Sequence, residues 1–262
     1  MATSRSNAAA LSAYVLHSYD WSETSLIVDL FTREHGRVVV AAKGAKRPTS
    51  QLRPVLLPFQ PIAVQLGKTP ADEAAEVHLL RSAEWAGGSP MLSGGALFSG
   101  FYLNELLLRL LARHDPHPQL FDAYADTLAA LADEAPALRA FELTLLRALG
   151  WLPELAVETL TVQPVAAGRR YTLHGEAGLV AAADGLPGDA WVRLEAALTH
   201  GHPGAVRAVC APVAAALRAP LRGMLHYHLG HAKLRTRQVM LGAQRLAELP
   251  VSSPAPAPAP SR

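Results

Sequence analysis

Six basic side chains, Arg33, Arg37, Lys43, Lys46, Arg47 and Arg53, fall within one short stretch that holds a single acid, Glu34. They bracket a strand-like run, Val38-Val39-Val40-Ala41-Ala42, and continue into the loop Lys43-Gly44-Ala45-Lys46-Arg47-Pro48. A strand that ends in a cationic loop offers a polyanion a row of charges on a rigid support. Phosphate backbones suit such a row, because each neutralised phosphate releases condensed counterions. An ordinary solvated loop rich in Lys and Arg has the same composition, so charge alone leaves both readings open.

A second basic segment holds Arg218, Arg222, Lys233, Arg235, Arg237 and Arg245 and no acid. Cations near a helix end complement the helix dipole, so part of this run serves helix stability. The rest suits a polyanion or an acidic peptide. His226, His228 and His231 lie in the same stretch, and the last two share a helix face by spacing. No carboxylate lies nearby to complete a metal site. His114, Asp115 and His117 can be drawn as a hydrolytic cluster, but they sit among prolines where a cap or turn is expected. The chain has no Walker loop, no GxGxxG after a strand, no HExxH and no GxSxG elbow, so it is expected not to be an enzyme.

The elements that would carry these residues come in two kinds. Tyr14 lies in a first strand, residues 13–18, followed by strands at 25–32, 37–42, 62–66 and 75–82. Gly36 supplies the positive φ of a tight hairpin. Five short strands in so few residues fit a small closed barrel, because closure removes exposed edges. Near residue 85 the period changes to helical. Ser89-Pro90 starts one helix through Leu111, residues 120–133 form a second, and Pro136 opens a third that stops at Gly150. Residues 153–187 are irregular with short β-like pieces, and helices return at 189–199, 205–217, 218–229 and 236–249. The fold class is thus α+β, divided as 1–85, 86–250 and a Pro/Ala tail, 251–262, expected to be extended and disordered.

The chain has 262 residues, half of them hydrophobic, and a net charge of only +2, so any polyanion surface is a local patch. Its one cysteine, Cys210, permits neither an internal disulfide nor a thiolate zinc cluster and fits a reducing cytosol. The N-terminus lacks a sustained apolar h-region, so no signal peptide is expected. The most apolar stretch, Met91 to Leu108, is interrupted by Asn104 and Glu105 and does not read as a membrane span.

Residues Tyr14 to Arg37, with Glu23-Thr-Ser-Leu-Ile-Val28 and Phe31-Thr-Arg-Glu-His-Gly36, then Ala42-Lys-Gly-Ala-Lys-Arg47 and Leu52-Arg-Pro54, form a specific pattern. It resembles the N-terminal domain of the RecO family of bacterial recombination mediators. Leu146-Arg-Ala-Leu-Gly-Trp-Leu-Pro-Glu-Leu155 is similar to the family's junction between helix and insert. The resemblance extends over residues 11–250 and is strongest at the start. It implies an OB-fold barrel followed by a helical domain, cytoplasmic and nucleoid-associated. It implies binding of single- and double-stranded DNA, annealing of complementary strands, and assistance in loading RecA onto DNA coated by SSB. The partners it implies are RecR and the acidic C-terminal tail of SSB. Many relatives bind zinc through four cysteines after the Leu-Pro junction. This chain has none there, so no zinc or other cofactor is expected, and the insert must hold itself by packing.

OB barrels bind strands through a basic groove and aromatic stacking. The candidate contacts are Arg33, Arg37, Lys43, Lys46, Arg47 and Arg53, with Trp21 as the half-exposed stacking residue. Tyr19 lies in the same turn, whereas Tyr14 and Phe31 fit a core role equally well. Arg218, Arg222, Lys233, Arg235 and Arg237 form the candidate site for the SSB tail or for more DNA. An RNA-binding or ribosome-associated OB module without a repair role has the same residue pattern and stays open as an alternative.

Overall fold

The computed structural model describes residues 10–67, 77–88, 91–230, 234–236 and 239. Strands β1 (Leu11–Asp20), β2 (Leu26–Thr32), β3 (Gly36–Ala42), β4 (Ile62–Leu66) and β5 (Val77–Trp85) close into a barrel in the order β1-β2-β3-β5-β4. Strands β3 and β5 run parallel and the other neighbours antiparallel, giving the five-stranded barrel of an OB-fold. The fifth strand, expected at 75–82, runs on to Trp85 because its later half pairs with β4; positions 75 and 76 of the expected range lie outside the described residues.

Period-two alternation sorts the strands between two cores. Ala13, Val15, Val28, Leu30, Val38, Val40 and Ala42 fill the barrel. Tyr14, Leu16 and Phe31 turn the other way and join the helical core, where the Tyr14 ring meets Phe121 and Tyr124. A bulge in β1 between Val15 and His17 leaves the Val15 and Leu16 carbonyls to the Asn104 side-chain amide, at 3.4 and 2.9 Å. Asn104 is itself held by the buried Tyr124 hydroxyl, which donates to Oδ1 at 2.5 Å. A buried polar pair therefore sets where the barrel rests on the helices.

The helices are α1 (Gly94–Leu110), α2 (Pro118–Ala129), α3 (Glu134–Ala148), α4 (Gly188–His200), α5 (Pro203–Cys210) and α6 (Ala214–Leu229). The expected start of α1 at Ser89-Pro90 lies outside the described residues; the helix begins after Ser93. Pro118 occupies the first turn of α2, and Pro136 that of α3. The break expected at 217/218 falls earlier, in a 3-10 turn at Ala211–Val213, which leaves Arg218 inside α6 and Pro220 within the helix. The helical run Pro203–Leu229 is apolar and long enough to cross a membrane by composition. It is not the stretch singled out by hydropathy above, and Val206, Cys210, Leu217, Leu221, Met224 and Leu225 within it are buried in the helical core.

Between α3 and α4 the insert forms five short strands: β6 (Val157–Glu158), β7 (Gln163–Pro164), β8 (Arg170–His174), β9 (Gly178–Ala181) and β10 (Leu186–Pro187). Tyr171, Leu173, Leu179 and Leu186 bury their side chains in the helical core. The Trp191 indole N–H donates to the Tyr171 carbonyl at 3.0 Å, and the Tyr171 hydroxyl accepts from the Ala166 N–H at 3.0 Å. Glu195 clamps the insert's entrance, taking two bonds from Arg147 at 3.0 and 2.6 Å and one from the Leu155 N–H at 2.7 Å. Partial burial pushes the Glu195 carboxyl up, but these bonds outweigh it and hold the group below the usual carboxylate range.

Candidate nucleic-acid interface

The strand register puts the β1–β2 turn and the β3–β4 connection at one end of the barrel and the β2–β3 turn at the other. At the first end, the two connections are tied together. The Lys46 N–H donates to the Thr24 carbonyl at 3.0 Å, and the Gly44 N–H to Ser25 Oγ at 3.4 Å. Lys46 Nζ reaches the Ser22 carbonyl at 3.2 Å and Asp20 at 3.0 Å. Gly44 adopts φ 73, and the Arg47 side chain passes 3.6 Å from where a Cβ there would sit.

This bracing leaves Lys43, Arg47 and Arg53 exposed, with no ion pair among the described residues. Trp21 stands in the adjoining turn, 56% exposed, and Tyr19 is 46% exposed with its ring edge on His17. Trp21 is thus open to stacking, while Tyr14 and Phe31 are core. The turn also carries Asp20 and Glu23, both exposed, whereas the connection from Lys43 to Arg53 carries no acid. Lys46 belongs to this end but is neutralised by Asp20, which makes it a brace more than a phosphate contact.

Arg33 and Arg37 do not join this row. Arg33 sits in the β2–β3 turn at the far end and makes a two-pronged pair with Asp122 of α2, at 3.0 and 2.9 Å. That partner keeps its guanidinium pKa raised. Arg37 is mostly covered. Its Nε lies 3.0 Å from Asp29, and its Nη1 donates to the carbonyls of Leu108 and Leu111 at 2.6 and 3.2 Å. Both arginines bind the barrel to the helices, so of the six candidate residues the exposed cations without an ion pair among the described residues are Lys43, Arg47 and Arg53, with Lys46 behind them. Sequence proximity could not separate these groups, because the hairpin carries Arg33 and Arg37 to the opposite end from Lys43.

His114, Asp115 and His117 belong to the same junction. The His114 N–H donates to the Arg37 carbonyl at 2.9 Å, and the His117 ring lies 3.2 Å from Asp115. A Cβ on Gly36 would fall 1.9 Å from the Asp115 carbonyl oxygen, and Gly36 has φ 65. Only glycine permits this approach. The turn is a clasp between barrel and helices.

In the second basic segment, Arg218 and Arg222 are exposed and one helical turn apart on α6. Arg235 is exposed, and its N–H donates to Glu105 at 2.8 Å; Thr236 gives the same carboxylate two further bonds, at 2.9 and 2.6 Å. Burial raises Glu105, and these bonds more than reverse it, leaving its pKa lowered. Lys233, Arg237 and His231 lie outside the described residues. His228 stacks flat on Trp151 at 4.3 Å, and burial lowers its pKa. Among the described residues no group of three or more His, Cys, Asp or Glu is placed to hold a metal ion. Cys210 is buried, and burial pushes its thiol up to about 12, which keeps it protonated and inert.

Two family models match this chain: Recombination protein O N terminal over residues 8–86, and Recombination protein O C terminal over residues 91–238. The chain belongs to the RecO family. Proteins named DNA repair protein RecO are 54% identical over 245 residues in Verminephrobacter eiseniae and 52% over 244 in Polaromonas naphthalenivorans, each match covering 89% of this chain and 96% of the relative. The protein of that name from Variovorax paradoxus is 51% identical over 251 residues, with the same coverage. The first RecO model ends at the close of β5 and the second begins shortly before α1, so the barrel and the helices correspond to the two family halves.

Proposed function

We propose that this chain serves DNA repair by binding single- and double-stranded DNA at the β3–β4 connection and annealing complementary strands. The observation that carries this is the grouping of Lys43, Arg47 and Arg53, exposed and without an ion pair among the described residues, on a connection braced against the turn that bears Trp21. Annealing needs no nucleophile. It needs a surface that screens repulsion between two strands while their bases stay free to pair. Contacts to phosphate supply this without reading sequence. In this reading the chain also assists RecA loading on SSB-coated DNA, together with RecR, within the bacterial cytoplasm.

A fluorescence annealing assay of complementary oligonucleotides, naked and SSB-coated, over a salt series tests this. If three phosphates are engaged on a single strand, log affinity falls against log salt with a slope of about −2. Annealing that ignores salt, or that SSB abolishes, sinks the reading; a strong preference for RNA favours the alternative of an RNA-binding module.

The second reading concerns α6. Arg218 and Arg222 stand one turn apart at the surface; burial raises the Glu142 carboxyl, and Arg139, the Tyr102 hydroxyl and, least, the charge of Arg218 oppose that only in part. Arg222 has no such internal claim and suits the acidic SSB tail. Arg222→Glu is expected to weaken binding of a labelled SSB-tail peptide about tenfold, as befits one charge-assisted hydrogen bond replaced by a repulsion. DNA affinity stays unchanged; the converse pattern assigns α6 to DNA.

A further inference from the structure

An open groove of about 440 Å³ runs between the β3–β4 connection and β5. Gln51, Leu52 and Val55 form one wall, and Arg81, Glu84 and Trp85 stand on the other. The register of β5 against β4 shifts between Gln65 and Leu66, where Ser82 and Leu80 are successive partners, so Arg81 is the extra residue of a bulge. A bulge re-aims a side chain away from the ladder. Arg81 is exposed and has no ion pair among the described residues. Trp85 pairs with Ile62 in the last rung and is 46% exposed.

An indole, an exposed guanidinium and a primary amide around one groove match the parts of a nucleotide. An aromatic face stacks on any base, and arginine meets the adjoining phosphate. Glu84 is the single carboxylate on the wall; it repels phosphate and accepts from a base's amino group, which orients the strand with its backbone toward Arg81. Arg53 follows Leu52 directly, so the groove continues the cationic connection already described. A duplex keeps its bases stacked inward and has nothing to put here.

We propose that this groove takes one unstacked base of single-stranded DNA on the Trp85 indole, with Arg81 on the neighbouring phosphate. The proposal rests on the DNA-binding reading above and deepens it: it makes the groove the element that distinguishes single strands from duplex.

The test is fluorescence anisotropy on a labelled oligothymidylate and on a blunt duplex of equal length, at low salt and over a salt series, with the full chain and its Trp85→Ala, Trp85→Phe and Arg81→Ala variants. Trp85→Ala weakens single-strand binding about tenfold and leaves duplex binding within about twofold, while Trp85→Phe recovers most of the loss. Arg81→Ala flattens the single-strand salt slope by about 0.7. Single-strand affinity unchanged in Trp85→Ala, an equal loss on duplex, or an unaltered slope in Arg81→Ala overturns the proposal. Should Trp85→Ala fail to fold, Arg81→Ala decides. Wild-type protein that binds neither DNA defeats the underlying DNA-binding reading instead, and that outcome is read before any variant is compared.

Discussion

Lys43→Glu combined with Arg47→Glu lowers DNA affinity by roughly thirtyfold, or about 2 kcal/mol, and leaves folding stability where it was. The size follows from what is removed and what is added. Two exposed cations cease to displace counterions from phosphate, and two anions now repel the strand. Neither side chain holds an ion pair among the described residues, so no buried group is stranded. Substitutions at such surface positions usually move stability by less than about 0.5 kcal/mol. The loss should shrink as salt is raised, because screening weakens both the missing attraction and the new repulsion. Anisotropy titrations at two salt concentrations, paired with urea unfolding, read both halves. Unchanged affinity at low salt counts against Lys43 and Arg47 as contacts. A parallel loss of stability gives them a structural task instead.

The exposure of Lys43 and Arg47 was legible from the sequence because a polar loop after a β-branched strand favours solvent for its cations, whereas Lys46 in the same loop folds back onto Asp20 and the Ser22 carbonyl, which composition does not show. The barrel was legible for the same kind of reason. Its strands are rich in β-branched and aromatic residues, with alternation in Ile62 to Leu66, and Gly36 marks the tight β2–β3 turn at the expected point. The helices came through as elements, but their ends did not: Pro212 sits in the 3-10 turn that breaks α5 from α6, whereas Pro220 is tolerated inside α6. A proline marks strain without saying which of two prolines the chain will break at. What sequence could not supply was partnership across long separations. Asp122 lies 89 residues beyond Arg33 in the chain, and nothing local in either segment announces the pair. Arg81 gives no signal in the sequence, because its place depends on a one-residue slip in the β4–β5 ladder that composition does not carry, and Trp85 lies past the end at residue 82 that the pattern gives the fifth strand.

Arg37→Ala is the complementary experiment, and it should lower unfolding free energy by about 3–5 kcal/mol while each folded molecule binds DNA as before. Arg37 was among the candidate phosphate contacts, so the outcome separates charge that faces DNA from charge that holds the fold. The guanidinium sits between Asp29, itself 3% exposed, and the carbonyls of Leu108 and Leu111. Those carbonyls belong to the last turn of α1 and its cap, where no helical N–H remains to bond them and a cation complements the dipole. Truncating Arg37 strands a buried carboxylate and two carbonyls at once. Breaking such a pair costs far more than the pair contributes, because the charge left behind is nearly cut off from water and keeps only the Tyr19 hydroxyl beside it in place of a cation. Adding Asp29→Asn should therefore return a large part of the loss, since the stranded charge is then gone; a double-mutant cycle measures this coupling. The barrel would also sit less firmly on the helices, since the guanidinium ties to Leu108 and Leu111 are lost, while the backbone bond from the His114 N–H to the Arg37 carbonyl is kept. If Arg37→Ala instead keeps its stability and loses DNA affinity as Lys43→Glu with Arg47→Glu does, the cationic surface wraps further around the barrel than its ion pairs indicate, and the division between the two ends of the barrel fails.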